Sequence, residues 1–107
     1  MNCPVDGKLV RDEIPRIIQE SGADPHWHVA GPQEYRRRLR HKLSEEVREV
    51  LGADESSAPD ELADVMEVVH ALAGDLGVGP EELEAIRKSK AAARGGFAGR
   101  VVWMGNR

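Results

Sequence analysis

Residues 31–52, GPQEYRRRLRHKLSEEVREVLG, decide the fold of this chain. Gly31-Pro32 is a typical helix start because proline fits the first turn, and Gly52 is a typical helix end. Between these residues, apolar side chains recur every three or four positions, which predicts one long amphipathic helix. Its apolar stripe consists of Tyr35, Leu39, Leu43, Val47, Val50 and Leu51.

A second long helix is expected after the polar loop at residues 53–58. Ser57 and Asp60 have the spacing of a capping box, and Pro59 suits the first turn. The pattern predicts a helix that runs to about Leu76. Its side chains expected to be buried are Leu62, Val65, Met66, Val69, Leu72 and Leu76.

Two shorter helices are predicted outside this pair. Asp12 is a candidate cap for a helix over residues 13–21, and Pro15 is tolerated in its first turn. Residues 79–82, GPEE, have the character of another helix start, and the glycines at residues 95–96 end that helix. The chain is therefore expected to contain about four helices.

Composition supports an all-α fold. The chain has 107 residues, of which 40% are hydrophobic, 32% are charged and only 4% are aromatic, and strands usually contain more aromatic residues. We predict a single domain over residues 1–107, built as a helical bundle with short extended or strand segments at residues 26–30 and 101–103. A core of this size is modest, so burial against a second copy would help to stabilise it.

The bulk properties also limit location and partners. No apolar run is long enough to span a bilayer or to act as a signal sequence, and the lone Cys3 cannot form an internal disulfide. These features predict a cytoplasmic protein with no membrane partner. The net charge of −4 disfavours nucleic-acid binding, for which the basic stretch at residues 36–42 is the one candidate.

Acidic residues on the two long helices are the strongest chemical signal. Glu46 and Glu49 are three residues apart, as are Glu61 and Asp64, so each pair lies on one helical face. On a helical wheel, Glu46 falls inside the apolar stripe of its helix, and Glu61 falls inside that of the next. Burying an unpaired carboxylate is costly unless a cation or hydrogen bonds compensate its charge.

If the two long helices pack antiparallel, these four carboxylates meet at one end of the bundle. Oxygen ligands of this kind select Mg²⁺, Mn²⁺ or Ca²⁺ rather than zinc. The alternative is an ordinary salt-bridged surface in which Lys42 and Arg48 pair with neighbouring acids. The repetition of the acidic pair on consecutive helices, in register with the apolar stripe, favours the metal.

The same residues resemble a known family. The patterns EExxE at residues 45–49 and ExxD at residues 61–64 are similar to the signature of the MazG-like all-α NTP pyrophosphohydrolases. Residues 8–15, KLVRDEIP, resemble the KLVRDKIP-type motif of the small, single-domain house-cleaning branch of that superfamily. Residues 94–97, RGGF, resemble a motif near the carboxyl end of that branch, so the likeness spans almost the whole chain.

This resemblance implies a homodimer or homotetramer that hydrolyses nucleoside triphosphates to monophosphates and pyrophosphate with Mg²⁺, or with Mn²⁺. The chain departs from the family motif at Glu13, where lysine is frequent, so any phosphate contact through that lysine is missing. By the family pattern the metal ligands are Glu46, Glu49, Glu61 and Asp64. The implied catalytic carboxylates are Glu45, Glu46 and Glu49.

Cations and one aromatic residue are candidates for substrate binding. Lys8, Arg11, Lys90 and Arg94 are candidates to neutralise the triphosphate charge, and Trp27 is a candidate to stack on the base. The alternative for any one cation is a solvated surface side chain. Arg11 and Arg94 are the stronger candidates because each lies in a matched motif.

Other functions stay open at the level of sequence. Phosphoribosyl-ATP pyrophosphohydrolase has a similar acidic bundle, although the KLVRDEIP stretch favours the house-cleaning branch. A non-catalytic helical module for oligomerisation or regulation would retain the fold without the reaction. Nucleic-acid binding through residues 36–42 is the weakest of these alternatives.

Overall fold

A computed structural model describes residues 7–107, and Cys3 therefore lies outside the described residues. Over this range the protein is an all-α helical bundle without strands, as the sequence predicts. Within these residues, no helix combines the length and the apolar character that crossing a membrane requires. The helices are α1 (Ile14–Glu20), α2 (Pro32–Gly52), α3 (Ala58–Asp75) and α4 (Pro80–Arg94).

The pairing of α2 with α3 is the main tertiary contact. A five-residue connection, residues 53–57, turns the chain so that the two helices run antiparallel. At the far end from this turn, Arg36 Nε donates to Asp75 Oδ2 at 3.0 Å and ties the start of α2 to the end of α3. The turn thus places the second half of α2 beside the first half of α3.

The core between these helices is small. Leu39 on α2 is 2% exposed, and Val68 and Ala73 on α3 are also buried. Full burial of a leucine side chain stabilises a fold by about 1.5–3 kcal/mol, so Leu39 is the main apolar anchor of the pair. Among the described elements, α4 packs only on α3, and α1 packs on no other helix.

Proline and glycine set the ends of the helices as predicted. Pro32 and Pro80 lie in the first turns of α2 and α4, each after a glycine with extended backbone. Gly77, with φ +80°, follows α3, and Val78 N–H donates to Ala73 O at 2.8 Å to close the last turn. A left-handed residue after a helix favours glycine because a Cβ atom would be strained there.

The predicted caps of α1 and α3 are wrong. Glu13, rather than Asp12, is the residue that precedes α1, and it makes no side-chain cap because its carboxylate accepts from Arg16 Nε at 2.9 Å. Ser57 precedes α3 but does not cap it through its side chain. Both residues have helix-like backbone angles instead of the extended conformation of a typical cap.

Asp54 organises the turn before α3 in place of the capping box. Its Oδ1 accepts hydrogen bonds from Ser56 Oγ at 2.8 Å, Ser57 N at 2.9 Å and Ser57 Oγ at 3.0 Å. The bond from Ser56, followed by those from Ser57, lowers the pKa of Asp54. This turn fixes the reversal that pairs α2 with α3.

The extended segments do not form strands. Residues 26–30 and 101–103 form no strand, because neither segment pairs with another extended segment within residues 7–107. The tail instead exposes apolar side chains, and Phe97 is 96% exposed.

The predicted burial of several apolar residues on α3 is also wrong for a single chain. Met66 is 60% exposed, and Leu62, Val69 and Leu76 are exposed as well, because α2 covers only one side of α3. On α2, Val47 and Leu51 are exposed. The radius of gyration is 17.9 Å, whereas a compact domain of this length has about 13 Å.

Candidate metal centre

Three carboxylates from the paired helices meet near the turn. Glu46 on α2 and Glu61 and Asp64 on α3 each offer an oxygen, and these oxygens all lie within 4.8 Å of one another. The antiparallel pairing brings the acidic faces together, as the sequence predicts. Glu46 is only 9% exposed, whereas Glu61 and Asp64 are half-buried.

The negative charges in this cluster act on Glu61. Its pKa is raised, first by desolvation and then by the charges of Glu49, Asp64 and Glu46. The folded protein therefore holds the ionised form of Glu61 at a cost in stability. A bound cation would reverse the sign of the local field and remove that cost.

Two cations pair directly with carboxylates of the cluster. Lys42 Nζ lies 3.2 Å from Glu46 Oε1, one turn earlier on the same helix. Arg11 Nη2 donates to Asp64 Oδ1 at 2.7 Å and links the amino-terminal segment to α3. Glu46 and Asp64 are thus partly neutralised, whereas Glu61 forms no ion pair with any residue in the range 7–107.

Glu45 and Glu49 lie at the border of the cluster. Glu45 is half-buried and faces two ammonium groups, Lys8 Nζ at 3.7 Å and Lys42 Nζ at 3.7 Å. Glu49 is exposed and is not one of the three carboxylates that converge, although its charge contributes to the raised pKa of Glu61. Its assignment as a fourth ligand stays a prediction.

A cavity of about 290 Å³ adjoins the cluster, between the amino-terminal segment and the α2–α3 pair. This is close to the lower limit of small-molecule sites, which begin at about 300 Å³. The lining combines apolar side chains and Tyr35 with charged groups of both signs. The lining residues are Leu9, Val10, Arg11, Asp12, Tyr35, Leu39, Lys42, Glu46, Asp64, Glu67, Val68 and Ala71.

Three predicted substrate-binding residues lie away from this cavity. Lys90 and Arg94 are exposed on α4, and Trp27 is exposed in the segment before α2. None of the three lines the cavity. Of the five predicted substrate-binding residues, a single chain places Arg11 on the cavity and Lys8 beside Glu45.

Lys42 is a site residue that the sequence analysis named only as a salt-bridge partner of neighbouring acids. That pairing is confirmed, but the Lys42 side chain is 17% exposed and contacts the most buried acid of the cluster, so it does not lie on an ordinary solvated surface. A usable signal was present, because Lys42 and Glu46 are four residues apart on one face of α2. Since Glu46 was expected inside the apolar stripe, a lysine one turn away was its nearest available partner.

The donor set fits a hard divalent cation. All three converging side chains are carboxylates, and no histidine or cysteine belongs to the group found among the described residues. Oxygen-only sites suit Mg²⁺ and Mn²⁺, and Mg²⁺ commonly uses a few carboxylates together with water and substrate phosphates. Glu46, Glu61 and Asp64 are therefore the residues that could hold such an ion.

Comparison with known proteins identifies no family. No family model matches the chain, and no solved structure matches it. An uncharacterised protein of Mycolicibacterium smegmatis is 43% identical to this chain over 51 residues, which cover 48% of the chain. The matched region spans 52% of that relative, and its name carries no function.

The raised pKa of Glu61 predicts that its carboxylate destabilises the protein when no ion is bound. Glu61→Gln should raise the melting temperature of the protein in EDTA, because it removes a carboxylate whose ionisation is unfavourable in the fold. The gain should shrink as the pH falls through the raised pKa of Glu61, since the wild-type side chain then becomes protonated. Thermal unfolding between pH 4 and pH 8 measures the difference.

Glu55→Gln is the matched control, because Glu55 is exposed in the turn between α2 and α3. It removes the same charge outside the cluster and should leave the melting temperature nearly unchanged. A lower melting temperature for Glu61→Gln in EDTA would mean that Glu61 serves the fold and not an ion.

Proposed function

We propose that the protein is a Mg²⁺-dependent nucleoside triphosphate pyrophosphohydrolase that releases a monophosphate and pyrophosphate. The observation that carries this proposal is the convergence of Glu46, Glu61 and Asp64 within 4.8 Å beside a cavity lined by Arg11 and Lys42. The motif resemblance to the MazG-like house-cleaning branch supplies the reaction class, and hydrolase chemistry at this cluster is our inference from both.

The proposed roles follow from the position of each carboxylate. Glu46, Glu61 and Asp64 hold the ion, and Glu49 is the candidate for a fourth ligand. When bound, Mg²⁺, or Mn²⁺ in its place, supplies charge stabilisation to the phosphoryl oxygens and acidifies a coordinated water. Burial of Glu46 favours a tight site, because a cation there compensates a carboxylate that water scarcely reaches.

The chain itself supplies proton acceptance and phosphate recognition. We assign Glu45 and Glu49, at the border of the cluster, as the carboxylates that accept the proton of the attacking water. The water oxygen bonds to the α-phosphorus, and the oxygen that bridges the α and β phosphates departs with pyrophosphate. Lys8 and Arg11 are cations of the amino-terminal segment that can face the negative charge of the triphosphate.

Three of the five arginine and lysine side chains at residues 36–42 are already paired within the protein, whereas Arg37 and Arg40 are exposed. Arg36 pairs with Asp75, Arg38 with Glu34, and Lys42 with Glu45 and Glu46. Cations that are already paired within the protein have less to offer to a phosphate backbone. Nucleotide hydrolysis is therefore the stronger proposal for the phosphate chemistry of this chain.

Product analysis tests the reaction. The wild-type protein with Mg²⁺ should convert one or more members of a panel of canonical and modified triphosphates, with phosphoribosyl-ATP included, to monophosphate and pyrophosphate. Glu46→Gln should reduce turnover by at least about a hundredfold, because loss of a charged ligand removes a large electrostatic contribution to the transition state. Chromatography of the nucleotide products with a pyrophosphate assay measures both.

Glu55→Gln again serves as the control and should retain wild-type turnover. Diphosphate with orthophosphate as products would place cleavage at the wrong bond for this proposal. A folded protein that hydrolyses none of the panel with Mg²⁺ or Mn²⁺ present would favour the non-catalytic helical module instead.

We also propose that the protein self-associates as a dimer or tetramer through the exposed apolar side of α3. Leu62, Met66 and Val69 share this side at helical spacing. The accessible surface is 9429 Å², whereas a folded monomer of this mass exposes about 5,900 Å². The excess comes from the extended segments as well as from the apolar side of α3 that α2 leaves uncovered.

Substitution on this side of α3 should separate the copies. Wild-type protein should have a solution mass of two or four times 11.8 kDa, and Met66→Glu should shift it toward the monomer because a buried charge opposes association. Val29→Glu, at an exposed apolar residue outside the helices, should keep the wild-type mass. Light scattering after size exclusion measures all three, and a monomeric wild-type protein would refute the interface.

A further inference from the structure

We propose that Lys42 is a phosphate-positioning residue that Glu46 holds until a divalent cation replaces it. The inference rests on the proposed function, because it assumes that the ion binds the carboxylate cluster and that a pyrophosphate group binds beside it. Lys42 belongs neither to the acidic motifs at residues 45–49 and 61–64 nor to the end motifs at residues 8–15 and 94–97.

Lys42 balances the charge of the buried Glu46 carboxylate. Glu46 is 9% exposed, and its nearest cation is Lys42, with Nζ 3.2 Å from Oε1. A carboxylate with so little access to water requires a compensating charge. A divalent cation that binds Glu46 supplies this charge itself, and it repels the ammonium group at short range. The ion and Lys42 therefore compete for one carboxylate.

The cavity beside the cluster can receive the Lys42 ammonium group once an ion displaces it from Glu46. The Lys42 side chain is 17% exposed, so it does not simply project into bulk solvent. It lines the 290 Å³ cavity together with Arg11, the second cation that pairs with a carboxylate of the cluster. A group with several anionic oxygens in this cavity would give Lys42 a new partner.

The arrangement links the two binding events. Without the ion, Lys42 lies 3.2 Å from Glu46 and 3.7 Å from Glu45, and Arg11 is paired with Asp64, which makes the cavity a poor anion site. With the ion bound, both cations lose part of their attachment to the cluster and face the cavity. Ion binding should therefore raise anion affinity, and by linkage the anion should raise ion affinity by the same factor.

The decisive variant is Lys42→Met, which keeps most of the unbranched side chain and removes its charge. Titration calorimetry with Mg²⁺ alone should show binding about threefold tighter than in the wild type, because the competing ammonium group is gone. Titration with inorganic pyrophosphate at saturating Mg²⁺ should show binding about tenfold weaker. Lys42→Arg keeps the charge and should restore pyrophosphate affinity to within about threefold of the wild type.

A lysine with a purely structural role predicts a different result. Its loss would loosen α2 and weaken both ligands together, or it would change neither. Arg36→Met is the matched control, because Arg36 is another cation of α2 in an ion pair, here with Asp75 at the far end of the helix pair. It should change neither dissociation constant.

A second comparison does not depend on the folding of Lys42→Met. Glu46→Gln and Glu67→Gln each remove one negative charge from the lining of the cavity, but only the first removes a partner of Lys42. In EDTA, Glu46→Gln should bind pyrophosphate at least about threefold more tightly than Glu67→Gln. The double variant Lys42→Met/Glu46→Gln should lose that gain.

The titrations distinguish a wrong role for Lys42 from a wrong proposed function. The replacement of Lys42 by the ion is supported if Lys42→Met raises Mg²⁺ affinity and lowers pyrophosphate affinity. It also requires that, in EDTA, only Glu46→Gln gains pyrophosphate affinity. Wild-type protein that binds both ligands while Lys42→Met shifts both the same way, or neither, overturns the inference alone. Wild-type protein that binds no Mg²⁺ overturns the proposed function and the inference with it.

Discussion

The antiparallel packing of α2 against α3 is the constraint on which the rest of the structure depends. Leu39, Val68 and Ala73 form the buried contact, and Asp54 fixes the turn that allows it. This pairing places Glu46 opposite Glu61 and Asp64, so the same contact that builds the core also concentrates negative charge. The raised pKa of Glu61 reports the resulting repulsion. A fold selected for stability alone would not gain from such a cluster.

The amino-terminal segment and Lys42 offset this charge. Arg11 pairs with Asp64, Lys42 with Glu46, and Lys8 approaches Glu45 at 3.7 Å. The pairs of Arg11 and Lys8 are exposed and contribute little stability individually, whereas the Lys42–Glu46 pair is largely shielded from solvent. Arg11 and Lys42 also line the cavity, so they place cations between the carboxylates and the cavity. In the proposed reaction, the ion and the phosphates meet at this border.

The long helices were predictable because their signals are local. Gly31-Pro32 and Gly52 bracket α2 as expected, and the helical wheel correctly identified Glu46 as a buried acid. The caps were missed because other side-chain contacts form in their place: Ser57 Oγ donates to Asp54, and the Glu13 carboxylate accepts from Arg16. The importance of Lys42 was missed because a basic stretch has the same composition whether its members face solvent or a buried acid. The positions of Lys90, Arg94 and Trp27 relative to the cavity depend on tertiary packing, which local patterns do not encode.

A crystal grown with Mn²⁺, with diffraction data collected at an energy where manganese scatters anomalously, is the decisive test of the divalent-cation site proposed on α2 and α3. We expect an anomalous peak within coordination distance of Glu46, Glu61 and Asp64, with Lys42 Nζ moved away from Glu46. Carboxylates without a peak, still paired with Lys42 and Arg11 at saturating Mn²⁺, would contradict it and leave a salt-bridged helical module.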